Sequence, residues 1–322
     1  MRQICIAVSF TLATPAVAGD LSLSWPVDCE LGTDCYIQQY VDHDPSQAAH
    51  DFTCNSLSYD GHKGTDIALP TLAALNQDVA VLAAADGVVL GIRNNMPDQL
   101  FTEDTAATVK GRECGNGIVL EHDDGWVTQY CHMKQGSISA QKGQPIERGE
   151  PLGLVGLSGK TQFAHLHLSV RKDGEVVDPF TPNTLGKCGV DSKTLWDVSI
   201  PYQAGGLIAS GFASTIPTLA DIRAGQADET PIAPSAPALV FWTYIFGGRT
   251  GDIVSLHIQG PAGEFLDTAT TLTKTQAQLF RAGGKKRRSE TWPAGDYIGT
   301  AQLVRNGEIL DTQRYEMTLP SE

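Results

Sequence analysis

Five side chains in three separate stretches are best suited to chemistry: His62 and Asp66 in His62-Lys63-Gly64-Thr65-Asp66, His132 after Tyr130-Cys131, and both histidines of His165-Leu166-His167. Taken alone, the His-x-x-x-Asp spacing is weak, and a surface ion pair would account for it. The His-x-His is more informative, because alternate side chains of a strand share a face. His165 and His167 would project together while Leu166 turns to the core. A catalytic zinc takes three protein ligands, commonly imidazole or carboxylate, and keeps a fourth position for water. Five candidates exceed that need, so the residues alone leave open which three would bind an ion. The chain has no His-Glu-x-x-His, so a glutamate base on such a helix is absent and a histidine must move the protons. His122 precedes a turn and reads as structural, and His43, His50 and His257 lack partners at informative spacing.

These groups need rigid elements to hold them. With 322 residues, the chain is long enough for two folding units. A hydrophobic content of 41% against 19% charged residues fits a packed core, and 33 glycines with 17 prolines favour short strands and turns. Apolar stretches flank Ala85-Asp86-Gly87, Asp123-Asp124-Gly125 and Lys172-Asp173-Gly174, each a hairpin signal. Residues 93–113 carry no sustained apolar period and read as an inserted loop that could partly cover a groove. Residues 225–238 are rich in proline, alanine and acid, as in a linker or extended surface segment. Beyond them, strand-like runs recur at Ala238 to Phe246, Ile253 to Ile258, Gln278 to Phe280, Tyr297 to Val304 and Gln313 to Leu319. The expected fold is mostly β: an antiparallel domain over 60–200, a linker or first strand over 201–237, and a small Ig-like β-sandwich over 238–322.

Residues 1–18 read as a signal peptide: Arg2, an apolar run from Ile4 to Leu12, then Ala16-Val17-Ala18 as a cleavage site. That run is too short to span a bilayer. Export to the periplasm or the medium is expected. Beyond Cys5 in this leader stand Cys29, Cys35, Cys54, Cys114, Cys131 and Cys188, an even set that suits disulfides in an oxidising compartment. The preferred pairs are Cys29–Cys35, Cys54–Cys188 and Cys114–Cys131, with residues 19–59 a disulfide-restrained segment. Only the last pair has a geometric argument. Across the hairpin near Asp123-Asp124, Cys131 falls close to Cys114, and strand alternation would turn Cys131 away from a site that His132 faces. A formal charge of −14 argues against nucleic acid as a partner. The basic run Lys285-Lys286-Arg287-Arg288 follows two glycines and reads as a solvated hairpin tip.

The ordered set of motifs resembles the lysostaphin/LytM-type zinc metallopeptidases, also known from the beta-lytic enzymes. His62-x-Gly64-x-Asp66 is similar to the family's H-x-G-x-D. Asp86, Gly87 and Val89 follow its A-x-x-D-G-x-V. Gly115-Asn116, His122, Gly125, Tyr130 and His132 follow its next stretch, and Gly149 to Gly159, His165-Leu166-His167 and Asp178-Pro179 complete the likeness over 60–182. The resemblance implies a compact antiparallel β domain with the metal in a groove. It implies one Zn2+ on His62, Asp66 and His167, with His132 and His165 as catalytic histidines. The implied reaction is hydrolysis of amide bonds in peptidoglycan cross-link peptides. A catalytically inactive wall-binding regulator is the alternative, but such relatives usually lack ligand residues, and here all five positions are filled. Two positions depart from the pattern: Phe163-Ala164 replace a common Gly-Pro, and Ser169 stands where an acid often follows.

Overall fold

A computed structural model of the chain describes residues 21–189 and 193–320. The expected signal peptide lies outside the described residues. The first half contains ten strands: β1 (Tyr36–Gln39), β2 (Thr65–Ala68), β3 (Ala80–Leu82), β4 (Gly87–Arg93) and β5 (Asn116–Glu121). They continue as β6 (Trp126–Met133), β7 (Pro145–Ile146), β8 (Pro151–Leu154), β9 (His165–Lys172) and β10 (Glu175–Val177). Eight form one antiparallel sheet in the order β1-β2-β9-β6-β5-β4-β7, with β10 also on β9, while β3 and β8 pair separately.

The central strand β9 reads HLHLSVRK, and its alternation decides what it presents to each side. Leu166, Leu168 and Val170 are buried in the core with Ile67, Ile118, Leu120 and Tyr130. The histidines take the other face. The turns at Asp124-Gly125 and Asp173-Gly174 supply the positive φ that tight hairpins need, and both hairpins form as expected. Asp86-Gly87 does not close a hairpin. Strand β3 leaves to pair with β8, and β4 joins β5 and β7 instead. Apolar runs on both sides of a turn signal specify strands, not their partners.

The remaining strands are β11 (Gly206–Ala213), β12 (Ala238–Gly248), β13 (Ile253–Gly260), β14 (Gly263–Thr271), β15 (Gln276–Lys286), β16 (Gly295–Arg305) and β17 (Glu308–Leu319). They build an Ig-like sandwich of a three-stranded sheet, β11-β12-β15, on a four-stranded one, β14-β13-β16-β17. Strand β14 is an edge with little apolar alternation, which hides it from sequence patterning. The Lys285-Lys286 pair is no hairpin tip. Both residues end β15, paired with Leu239 and Ala238, so the basic run begins on a strand.

Strand β12 (ALVFWTYIFGG) is apolar on both faces. Leu239, Phe241 and Ile245 face the sandwich core, whereas Trp242, Tyr244 and Phe246 join the core of the first sheet. A strand buried on both sides reads as a continuous apolar run. The sandwich is thus docked by a packed face. Tyr36 of β1 lies against Phe246 with ring centroids 4.7 Å apart, and Ile37 donates its N–H to Gln203 Oε1 at 2.8 Å. Residues 225–237 pack along this unit, burying Ala227, Ile232 and Ala236, with Ala227 O accepting from Trp242 Nε1.

The disulfides are Cys29–Cys35, Cys54–Cys188 and Cys114–Cys131, the preferred set. Among the described residues, no helix is long and apolar enough to cross a membrane. Phe246→Ala should lower unfolding free energy by about 3–5 kcal/mol, because the buried ring bridges the two units. Denaturant unfolding followed by tryptophan fluorescence measures this, and a loss below about 1 kcal/mol would show that the ring does not hold the units together.

Candidate metal centre

Strand pairing places the first two groups. Asp66 of β2 stands directly across from His167 of β9, so both project to one face. His62 comes from the turn before β2. Gly64 lets the chain pass this close, since a Cβ there would meet Leu168 O at 2.6 Å and His167 Cε1 at 2.7 Å. All three donors converge: His167 Nδ1 is 2.7 Å from Asp66 Oδ1, and His62 Nε2 is 3.1 Å from that oxygen and 3.2 Å from His167 Nδ1.

The outer hydrogen bonds decide what these atoms present. His62 Nδ1–H donates to Tyr40 O at 2.6 Å, which leaves its Nε2 a lone pair. His167 Nε2–H donates to Ser169 Oγ at 3.1 Å, and that hydroxyl donates onward to Lys63 O at 2.9 Å. His167 Nδ1 is therefore also an acceptor. Two imidazole lone pairs and a carboxylate oxygen facing one another repel unless a cation sits among them. With metal–ligand arms of ~2.0–2.1 Å, tetrahedral ligands stand roughly 3.3 Å apart. The measured separations of 2.7 to 3.2 Å are close to that. The group fits a small divalent ion. Burial works against Asp66 ionising, yet the His62 and His165 rings hold its carboxyl well below the usual range. Burial likewise pulls His62 down, but the Asp66 carboxylate outweighs it and the net shift is upward.

His132 and His165 complete the five. Their ring centroids are 4.6 Å apart, and His132 lies 6.0 Å from His167. Each donates Nδ1–H to a backbone carbonyl, His132 to Ser158 O at 2.8 Å and His165 to Phe163 O at 2.9 Å. Both Nε2 atoms keep lone pairs, and His165 Nε2 stands 3.5 Å from Asp66 Oδ1. Burial pushes His132 well below its ordinary value, helped by His165 and His167. Burial also lowers His165, with Asp66 opposing. Both rings are neutral near pH 7.

Pleat alternation does not explain how His132 reaches this site. Cys131 stands across from His167, on the site's own face, so strict alternation would send His132 to the core. His132 instead has φ of +63°, a left-handed conformation uncommon for a side-chain-bearing residue, and its N–H is tied to Cys114 O at 2.8 Å. The Cys114–Cys131 bridge forms as expected, but not because Cys131 points away. Gly115, with φ of +67°, lets the Ser158 backbone approach, since a Cβ would lie 2.3 Å from Ser158 O. Asn116 then clamps Met96 and Met133 through its side-chain amide.

The description "Peptidase family M23" matches residues 60–179. Residues 60–179 belong to this family. The chain is 30% identical over 122 residues to the peptidoglycan DD-endopeptidase ShyA of Vibrio cholerae serotype O1, covering 38% of this chain and 23% of that protein. It is 32% identical over 120 residues to the DD-carboxypeptidase/endopeptidase Mpg of Neisseria meningitidis serogroup B, covering 37% of this chain and 22% of that one. The chain thus spans under a quarter of the length of these relatives. The catalytic domain of the prophage-encoded M23 protein EnpA from Enterococcus faecalis superposes with a TM-score of 0.33 at 22% identity, covering 48% of this chain and 95% of that one.

Other motif residues of the M23 domain serve as scaffold. His122 bridges Asp86 O and Thr128 Oγ1, and Tyr130 OH accepts from Ala84 N, tying the Ala83–Gly87 turn to β5 and β6. The departures have visible roles: Ser169 orients His167, and the Phe163 ring stacks on His165 at 4.2 Å. Loop 93–113 reaches the site through Phe101, which lines a cleft of about 510 Å³ with Asp66, His132 and His165.

One histidine escaped sequence reading. His43 is buried and donates from Nε2 to Asp178 Oδ2 at 2.8 Å, with Nδ1 at 3.0 Å from Lys187 O. Its partner lies 135 positions away, so no local spacing could reveal it. Burial lowers the His43 pKa, but Asp178 reverses this and the net shift is upward. His43→Ala should cost about 3–5 kcal/mol near pH 6 by stranding a buried carboxylate. The ionic part is fully present below the unfolded value of ~6.5 and is lost as pH rises through the raised folded value. Thermal melts should show a smaller gap between wild type and variant at high pH; a gap that widens there would refute the pairing's charge.

Proposed function

We propose that the chain is a zinc-dependent endopeptidase that hydrolyses amide bonds in peptidoglycan cross-link peptides. His62, Asp66 and His167 would hold one Zn2+, and His132 and His165 would handle protons. The observation that carries this reading is the convergence of three acceptor atoms within 2.7 to 3.2 Å, with the outer hydrogen bonds of both imidazoles pointing away. When bound, zinc supplies a Lewis acid for the scissile carbonyl and lowers the pKa of water from 15.7 toward ~7.

The protein's own groups do the rest. His62 and His167 are fixed in the tautomers that leave a lone pair inward. The neutral Nε2 atoms of His132 and His165 can accept a proton from the attacking water. Once protonated, the same nitrogen can donate to the developing oxyanion or the departing amine. Because His165 Nε2 is 3.5 Å from Asp66, an imidazolium there has a carboxylate at hand. The M23 match and relatives named as peptidoglycan DD-endopeptidase and DD-carboxypeptidase/endopeptidase support this substrate class. Three disulfides suit work in an oxidising space such as the periplasm or the medium. An inactive regulator would not need all five groups aligned.

Incubating purified peptidoglycan with the protein should release muropeptide fragments, and a chelator should stop it. No release from intact, metal-loaded protein would refute the reading. His62→Ala, Asp66→Ala and His167→Ala should each lose zinc by elemental analysis. His132→Ala and His165→Ala should retain zinc while turnover falls by about 10²–10⁴-fold, and near-normal turnover would remove that residue from the proton path. Ser169→Ala leaves His167 Nε2–H without its acceptor. Zinc affinity should then fall about 10–100-fold in a chelator competition, and an unchanged affinity would make Ser169 dispensable to the site.

A further inference from the structure

The cleft over the candidate metal centre is not closed by the M23 domain alone. Its lining includes Gln38 and Gln39 of β1, and Arg223 and Gln276 to Gln278 from the C-terminal part of the chain. This wall is hydrogen-bonded in place. Gln38 Nε2 donates to Ala277 O at 3.2 Å, Gln278 Nε2 donates to Gln38 Oε1 at 2.8 Å, and Arg223 Nη2 donates to Gln278 Oε1 at 3.0 Å. Arg223 belongs to the short helix Leu219–Ala224, and its Nε reaches Tyr244 OH at 3.4 Å. A sandwich that only tethered the enzyme would have no need to shape the cleft.

Arg223 in this wall has hydrogen-bond partners but no carboxylate beside it among the described residues. A guanidinium carries five N–H donors, and the two bonds above leave three for a ligand. Among the described residues, Arg223 forms no ion pair, although the chain carries a net charge of −14. A half-buried guanidinium with free donors suits a carboxylate, which it can bind through two parallel bonds.

We propose that Arg223 binds a carboxylate of the peptide to be cut. This makes the C-terminal unit a specificity element of the cleft. The inference rests on the peptidase reading for the identity of the peptide, but not for the binding itself. The carboxylate could be terminal or on a side chain, and both would meet Arg223 with the same chemistry.

Binding is measured by calorimetry on the zinc-free full chain, with turnover on the loaded protein followed separately. Three synthetic D-alanine-containing peptides serve as probes: one with both carboxylates free, one with a C-terminal amide, and one with a side-chain amide. One amide should bind roughly tenfold to a hundredfold more weakly than the free acid, and which one identifies the carboxylate. Arg223→Gln should abolish that difference. Equal binding of the three by the wild-type chain would overturn the proposal, as would a difference that survives Arg223→Gln. Binding that discriminates without any turnover would uphold the inference and sink the peptidase reading.

Discussion

Strand β9 is held between β2 and β6, and that register governs everything at the site. It sets Asp66 opposite His167 on one side and Cys131 opposite His167 on the other. A slip of one residue would reverse each side chain between core and cleft. Leu166 and Leu168, both fully buried, prevent it, since a slip would put two histidines into the core and two leucines into water. The apolar face of the strand therefore fixes the polar one.

Around that register the chain arranges hydrogen bonds that select tautomers. Tyr40 O, Ser169 Oγ, Ser158 O and Phe163 O each take the outer N–H of one histidine. Four rings are thereby left with inward lone pairs, in a pocket where burial keeps His132 and His165 uncharged. Such partners orient ligands and raise their basicity. Carbonyl acceptors do this without adding charge, which would disturb a buried site more than a neutral dipole does.

The two units are joined by packing as well as by sequence. Trp242, Tyr244 and Phe246 bury one face of β12 in the core of the M23 domain, while Leu239, Phe241 and Ile245 serve the sandwich. The N-terminal segment is the third partner, since β1 adds to β2, supplies Tyr36 against Phe246 and provides Tyr40 O to His62. Residues far outside 60–179 thus hold groups within it.

Type and spacing were enough to name five candidate side chains, which the fold brings together, and to prefer the cysteine pairs that form. Short motifs with fixed spacing report local geometry, and in His165-Leu166-His167 a strand's two-residue period is enough to put both rings on one face. Long-range choices were not legible. Nothing local says that β3 leaves β4 to pair with β8, or that His43 meets Asp178. The left-handed turn that aims His132 also escaped, because a backbone sign depends on the chain packed behind it, here Cys114, Gly115 and Ser158. The wall formed by Arg223 and Gln276 to Gln278 arises only when two apolar faces find each other. Residue type and spacing determine which groups can do chemistry. Tertiary packing decides which distant groups share the cleft, because burial energy depends on faces brought together and not on their order in the chain.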